Sequence, residues 1–161
     1  MSSASAPLLS SHPGSNIARA FVYRHLVSFE DTNVVGNVYF AKHVAWQGRC
    51  REHFLKALAP DILRELAGDF RMVTLSVSCD YFEEIHALDE IEIRMSLAHL
   101  RAHRIGLNFE YLLADGGRER VVARGFQEIG CMRQGASGLV PASPPAVLAN
   151  ALKPFSSASV R

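Results

Sequence analysis

Hydrophobic and polar residues alternate with a period of two through most of the central part of the chain, a pattern that predicts β-strands. Over 72–82 the alternation places on one face Val73, Leu75, Val77, Cys79 and Tyr81. The same period recurs over 90–97 and 105–113, and a strand with mixed faces is predicted over 21–29. Asp115-Gly116-Gly117 signals a turn before a last strand at about 119–132. Short connections and one buried face indicate antiparallel pairing.

One segment in this series has the period of a helix. A helix is predicted over about 38–58, with Asn37 as its N-cap and Ala59-Pro60 as its stop. A helical wheel gives it an apolar stripe consisting of Phe40, Val44, Phe54, Leu55 and Leu58. A second short helix follows over 61–67. The order of one strand, a long helix and four strands indicates an α+β fold in which a sheet covers one helix.

The chain length of 161 residues fits one domain. Residues 1–18 are rich in Ser, Ala and Pro without any period, and we predict a mobile N-terminal arm there. The folded domain is expected over 19–133. Residues 134–161 are again rich in Gly, Pro and Ser, and we predict a C-terminal tail with a short helix opened by Pro145.

Composition excludes several classes of function. The 17 Lys and Arg residues nearly balance the 16 Asp and Glu residues, which leaves a formal charge of +1, so a nucleic-acid partner is not expected. No stretch approaches the roughly 20 apolar residues of a membrane span, and we expect no membrane partner. Three cysteines far apart in the sequence are typical of free thiols in a reducing compartment, so we expect a cytoplasmic protein.

One helix cannot cover five long strands, and some apolar sheet surface therefore needs another partner. Trp46 falls on the polar side of the predicted helix, beside Arg49 and His53. A large aromatic residue there indicates either a contact between subunits or a surface covered by the C-terminal tail. We expect a homo-oligomer.

Arg51 is the residue with the most informative position. The wheel places it inside the apolar stripe, with Gln47 one turn earlier, and a buried guanidinium requires an anion or several carbonyl acceptors. It could form a buried ion pair with Asp31 or Asp80, which the wheel alone favours. It could also donate hydrogen bonds to a bound carbonyl or phosphate.

The loop over residues 30–37 places polar residues beside the N-terminus of the helix, where free amides favour developing negative charge. Gly36 allows a sharp turn or a close approach to a ligand. Ordinary helix capping also explains this composition. No metal site is expected, because His99 and His103 lie in a strand and turn region without nearby ligands that would complete a set.

The run FEDTNVVGNVYFAKHVAWQGRCREHFL, residues 29–55, resembles the signature of hotdog-fold thioesterases of the 4-hydroxybenzoyl-CoA type. The resemblance implies a hotdog fold, in which an antiparallel sheet of about five to six strands wraps around one long central helix. The chain departs from that family at two positions. Asn33 stands where the family carries its catalytic aspartate, and His43 stands where it commonly carries a tyrosine.

The combination TN-x-VGNVYF with WQGRCRE is similar to a narrower branch, the acyl-carrier-protein thioesterases of enediyne biosynthesis. That similarity implies catalysis by Asn33 and Arg51. It implies a substrate in which a phosphopantetheine arm carries a long conjugated polyketide on the acyl carrier protein domain of an iterative polyketide synthase. Hydrolysis would give a β-keto acid that can lose carbon dioxide. We expect no cofactor of the enzyme itself, and a dimer or a dimer of dimers.

The similarity also suggests a set of substrate contacts along the loop, the helix and the second strand, namely Gly36, Asn37, Phe40, His43, Val44, Gln47, Met72, Val73 and Leu75. Core packing is an alternative explanation for each apolar member of this set. An acidic carrier protein needs basic surface, and the candidates are Arg101, His103 and Arg104, or Arg118 and Arg120.

Two other functions fit the same sequence. An ordinary acyl-CoA thioesterase could use Asp31 or Glu30 as its general base. A hotdog module without catalytic activity could bind acyl chains or a partner protein, the missing aspartate then marking lost catalysis.

Overall fold

The computed structural model describes residues 19–156, and the predicted arm over 1–18 lies outside this range. A curled antiparallel sheet contains all six strands, which are β1 (Phe21–Leu26), β2 (Phe70–Tyr81), β3 (Glu90–Arg101), β4 (Arg104–Asp115), β5 (Arg118–Gly135) and β6 (Gly138–Pro141). Three helices accompany it, α1 (Phe40–Leu58), α2 (Ile62–Ala67) and α3 (Ala146–Leu152). The hotdog fold predicted from the sequence is confirmed.

The strands are ordered β1-β3-β4-β5-β2, with β6 paired to the end of β5. The alternation predicted for β3 and β4 is confirmed, since Ile91, Ile93 and Met95 on β3 are buried against Ile105, Leu107, Phe109 and Tyr111 on β4. The β4–β5 turn contains Gly116 and Gly117 with φ of 55° and 82°, a conformation that a side chain would strain.

Helix α1 begins two residues later than predicted, and three details of its prediction are wrong. Tyr39 rather than Asn37 occupies the N-cap. Phe40 and Leu58 are exposed by 59% and 40%, so they do not belong to the buried face. Trp46 is 1% exposed and packs against the rings of His25 and His43, which excludes it from a subunit contact. The face that meets the sheet consists of His43, Trp46, Gln47, Cys50, Phe54 and Leu55.

The C-terminal part of the chain is more ordered than the sequence indicated. Strand β5 continues to Gly135, and residues 138–141, predicted as tail, add β6 to the sheet. The short helix after Pro145 is confirmed as α3, whose Leu148 and Leu152 are buried in the core. A 3₁₀ turn at Lys153–Phe155 then buries Phe155 against Phe21 and Phe54.

Candidate active site

The loop before α1 is a tight turn built around Asn33. The amide of Val35 donates to Asn33 Oδ1 at 2.9 Å. The backbone amide of Asn33 donates to the Asn37 carbonyl at 2.8 Å, and that of Gly36 donates to the Asn33 carbonyl at 3.0 Å. Gly36 has φ of 93°, which explains the glycine. Because a backbone N–H can only donate, the oxygen of Asn33 is fixed as the acceptor. The side-chain NH2 has no partner among residues 19–156 and can donate to a ligand.

Asp31 lies two residues away and is held by four donors. The amide and hydroxyl of Ser28 donate to its Oδ2 at 3.0 Å, His25 Nε2 lies 3.1 Å from it, and Lys42 Nζ lies 3.4 Å from Oδ1. Burial acts to raise the pKa of Asp31, but these hydrogen bonds outweigh it and lower the pKa to about 2. The predicted pairing of Asp31 with Arg51 is wrong. With a pKa of about 2, the Asp31 carboxylate is too weak a base to be well suited to proton abstraction at neutral pH.

Asp31→Asn is therefore expected to destabilise the fold rather than abolish chemistry. A folded-state pKa of about 2 against 3.8 stabilises the protein by about 2 kcal/mol above pH 4. Since the folded-state pKa is the lower one, this contribution disappears as the pH falls from about 4 to about 2. Urea unfolding of both proteins at several pH values measures it, with exposed Asp61→Asn as the control. If the Asp31→Asn protein is as stable as the wild type but has a hundredfold lower kcat, Asp31 is instead the general base.

A polar row runs along the buried face of α1. His43, Gln47 and Arg51 are spaced four residues apart, so they project toward the sheet from successive turns. Gln47 Nε2 donates to the carbonyl of Ser78 at 3.1 Å, and its Oε1 is buried without a partner in the described part of the chain. A Cβ at Gly125 would lie 2.1 Å from Gln47 Nε2, so only glycine leaves room for this side chain.

His43 is the first member of this row and lies among aromatic rings. Its ring centroid is 4.8 Å from that of Tyr81 and 5.4 Å from that of Tyr111, and both ring nitrogens lack hydrogen-bond partners within residues 19–156. Burial lowers the pKa of His43 to about 4, against an opposing effect of the Phe40 carbonyl. His43 is therefore neutral at pH 7, with one N–H donor and one acceptor available.

Arg51 ends the row without a carboxylate partner in the described residues. Its Nη1 donates to Gln127 Oε1 at 3.1 Å, and burial lowers the pKa of the guanidinium, with a partial opposing effect of Glu52. It lines an apolar cavity of about 10 Å³, whose other walls are Phe54, Leu55, Met72, Met95, Ile105, Leu107, Ile129, Leu148 and Leu152. A half-buried cation with no carboxylate partner in residues 19–156, beside an apolar cavity, is suited to a ligand with a polar head and an apolar chain.

The other predicted substrate contacts do not form one cluster: some lie near the Asn33 turn, one lines the cavity beside Arg51, and the rest lie on α1 and β2. Asn37 donates to Glu84 at 3.1 Å near the Asn33 turn, and exposed Phe40 begins the helix there. Met72 lines the cavity beside Arg51. Val44 and Val73 are half-buried, and Leu75 is exposed by 45% on β2.

The structure does not bring Asn33 and Arg51 together within one protomer. The turn at Asn33 lies beside Ile85, whose carbonyl accepts from the Val38 amide. Arg51 lies about 16 Å along the helix axis from Phe40, at 1.5 Å per residue. Asn33 is not among the residues that line the cavity beside Arg51, so the two side chains lie at different places in the protomer.

Sequence reasoning missed Gln127 and Tyr111. Gln127 is 4% exposed and holds Arg51, while the Tyr111 hydroxyl donates to the carbonyl of His43 at 2.5 Å. A signal existed for Gln127, because it interrupts the inward-facing series Ala123, Ile129 and Cys131 on β5. The sequence contained no comparable signal for Tyr111, because this residue continues the alternating apolar pattern of β4.

Comparison with known proteins agrees with this fold. The dynemicin thioesterase, whose crystal structures were described for induced-fit and allosteric effects upon polyene binding, is 42% identical to this chain. The match covers 87% of this chain and 99% of that one, with a TM-score of 0.83. Curated proteins gave no match.

Two more distant structures share the fold alone. A 1,4-dihydroxy-2-naphthoyl-CoA thioesterase from Synechocystis is 23% identical over 83% of this chain and 96% of its own, with a TM-score of 0.69. A 4-hydroxybenzoyl-CoA thioesterase variant in complex with 4-hydroxybenzoyl-CoA is 17% identical. The match covers 86% of this chain and 100% of that one, with a TM-score of 0.72.

The fold and these similarities define a hotdog-fold thioester hydrolase. The chain belongs to the Thioesterase-like superfamily, which matches residues 27–152. Within residues 19–156, no group of side chains is arranged to hold a metal ion. None of the helices described there is long and apolar enough to cross a membrane.

Proposed function

We propose that the enzyme hydrolyses the thioester that joins a long conjugated polyketide chain to the phosphopantetheine arm of an acyl carrier protein domain. The carrier belongs to an iterative polyketide synthase of enediyne biosynthesis. Support for this substrate comes from the 42% identity to the dynemicin thioesterase, a protein described as binding polyene. The residue pattern around Asn33 and Arg51, which resembles that of the acyl-carrier-protein thioesterases of enediyne biosynthesis, also supports this substrate.

One observation carries the proposal over an ordinary acyl-CoA thioesterase that uses a carboxylate base. The buried carboxylate of the motif, Asp31, is fully engaged by donors and has a pKa of about 2. Arg51 is instead a half-buried cation whose hydrogen-bond partner is the neutral side chain of Gln127. The site therefore offers stabilisation of an oxyanion rather than a strong base.

The reaction follows from these groups. The Asn33 amide donates to the thioester carbonyl oxygen, and the Arg51 guanidinium stabilises the negative charge that develops there as water attacks the carbon. The C–S bond then breaks, and the proton lost by the water ends on the pantetheine thiol. The product is a β-keto acid, which can lose carbon dioxide as its carboxyl proton passes to the ketone oxygen, leaving the enol of a ketone. Since no strong base activates the water, turnover is expected to be slow.

Release of product from a carrier domain loaded with its polyene tests this function. We expect the enzyme to release the chain catalytically, and to hydrolyse the same acyl group on coenzyme A less efficiently. An enzyme that prefers the coenzyme A ester and loses activity in Asp31→Asn would be an ordinary acyl-CoA thioesterase. No release at any enzyme concentration would indicate a binding module.

Because one protomer separates Asn33 from Arg51, we infer that each site takes the two residues from different copies of the chain. Strand β2 is the last strand in the order β1-β3-β4-β5-β2, and it exposes Leu75, Val77 and Tyr81 by 45%, 43% and 45%. A long exposed apolar edge strand invites pairing with another strand. Beside Asn33, Val34 and Val35 are also fully or largely exposed, as expected for a loop that a partner covers.

Mixing two inactive variants tests this arrangement. Asn33→Ala and Arg51→Met, unfolded together and refolded in equal amounts, would form hybrid dimers in half of the cases, each with one intact site. Activity is then expected to recover to about a quarter of the wild-type value, because symmetric pairing is random. The separately refolded variants are the control. No recovery, although hybrid dimers form, would mean that both residues act within one chain.

The carrier protein is acidic, and the two basic candidates differ in how far carboxylates already neutralise them. Arg120 is paired with Glu83 and lies 3.9 Å from Asp115. In the β3–β4 turn, Arg104 contacts Glu128 only at 3.6 Å. Arg101 and Arg118 both lack a carboxylate partner in the described residues, so the difference lies between Arg104 and Arg120. We therefore favour the turn containing Arg101, His103 and Arg104 as the docking surface.

A further inference from the structure

Helix α3 closes one side of the cavity beside Arg51. Its Leu148 and Leu152 are exposed by only 1% and 2% and line the cavity opposite residues of β3, β4 and α1. The cavity measures about 10 Å³, which is room for one water-sized sphere. A long acyl chain therefore cannot occupy this space unless part of the wall moves, because protein interiors are close-packed.

The walls differ in how firmly the fold holds them. Strands β3 and β4 pair with each other from Ile91–Leu113 to Arg101–Arg104, and β4 pairs along its whole length with β5. Moving either strand would break long ladders of backbone hydrogen bonds. The Met72 and Met95 side chains can change conformation within this frame, since an unbranched thioether adapts to irregular space.

Helix α3 is held in place by fewer interactions than strands β3 and β4 are. It has seven residues and follows Pro144-Pro145. Leu148, Leu152 and the adjoining Phe155 attach it to the core, with partly buried Val147 and Ala151 packed beside them. At the end of the described residues, an isolated bridge joins Ser156 to Leu97 on β3. An element with few buried contacts opens at a lower free energy than the ladders of a central sheet.

We propose that α3 is the adjustable far wall of an acyl-chain chamber that begins at Arg51, and that Leu148 and Leu152 determine how long a chain the enzyme accepts. The inference rests on the proposed function, since it names the part of the fold that selects chain length at that site. The polar head stays at Arg51, and the apolar tail extends between α1 and the sheet toward α3. Shortening either leucine side chain lengthens the chamber.

The test compares straight-chain octanoyl, dodecanoyl and hexadecanoyl pantetheine thioesters on the wild-type enzyme, Leu148→Ala and Leu152→Ala. The ratio of kcat/KM for hexadecanoyl to that for octanoyl is expected to rise on the order of tenfold in both variants, the factor that about two buried methylene groups contribute. Leu139→Ala, at an exposed position on β6, is the matched control and should leave the ratio unchanged. Leu148→Val, a smaller truncation, covers the case in which an alanine variant does not fold.

Direct binding distinguishes failure of this inference from failure of the proposed function. The probe is cis-parinaric acid, a fluorescent fatty acid with a conjugated tetraene, titrated into the same folded variants. Tighter binding in the α3 variants supports the chamber even if no thioester is hydrolysed, in which case the proposed function alone fails. An unchanged chain-length ratio in an active enzyme, or unchanged probe binding in an inactive one, overturns the role of α3.

Discussion

Replacing Arg51 with methionine is expected to lower kcat/KM for thioester hydrolysis by about two to three orders of magnitude while the fold persists. The guanidinium is half-buried beside an apolar cavity, and the described residues offer it no carboxylate, only Gln127 Oε1 at 3.1 Å. A fixed positive charge in such a place acts strongly on a developing oxyanion, because little water screens it. Removing one comparable donor costs about 2.7–4 kcal/mol of transition-state stabilisation.

The same substitution should affect stability much less. A buried charge is costly to desolvate, and replacing it with an apolar side chain of similar size is often neutral or stabilising. Against this, Gln127 loses its donor, which costs about 1–3 kcal/mol for a buried polar group. We therefore expect the free energy of unfolding to change by less than about 2 kcal/mol, since the two effects oppose each other.

Arg49→Met is the matched control, because Arg49 is exposed and lies on the same helix two positions earlier. It removes the same charge and should leave kcat/KM nearly unchanged. Single-turnover hydrolysis of an acyl-pantetheine and urea unfolding measure the two effects separately. Normal activity of the Arg51→Met enzyme would mean that Arg51 has a structural role and not a catalytic one.

The strands could be predicted from the sequence because their pattern has a single physical cause. Along β3, Ile91, Ile93 and Met95 alternate with polar residues, since one face meets the core and the other meets water. Strand β6 lacked such a pattern. Its four residues follow a Gly- and Ser-rich turn, and their conformation comes from pairing with Met132–Gly135 on β5. Tertiary contact, rather than local preference, makes that strand.

The helix was located well but rotated wrongly, and the reason lies in the site itself. A wheel that assigns the buried face by hydrophobicity includes Gln47 and Arg51 only because apolar residues surround them, and it leaves out His43. It therefore selected Phe40 and Leu58, which are exposed in the protomer. Sequence rules fail in this way where function places polar groups in a core. Within residues 19–156, the ring nitrogens of His43 and Oε1 of Gln47 are buried without hydrogen-bond partners, which marks the same face of the helix.

Asn33→Ala and Asn33→Asp are both expected to lower kcat/KM by about two to three orders of magnitude, as loss of a donor to the carbonyl oxygen does. The two variants differ in what they do to the turn. Alanine removes the acceptor of the Val35 amide, and aspartate keeps that acceptor while losing the NH2 group. The aspartate variant therefore separates the chemical role of Asn33 from its structural role.

Thermal unfolding of both variants and acyl-pantetheine hydrolysis at several pH values provide the measurements. Equal loss of activity in both, with the aspartate protein as stable as the wild type, would establish Asn33 as a hydrogen-bond donor. An active Asn33→Asp enzyme would contradict the donor role, since only an acceptor or base survives that change. A base at this position would act with a pKa near the ordinary value of aspartate, about 4, so its activity would rise with pH through that range. The donor mechanism predicts no such rise, because an amide does not titrate.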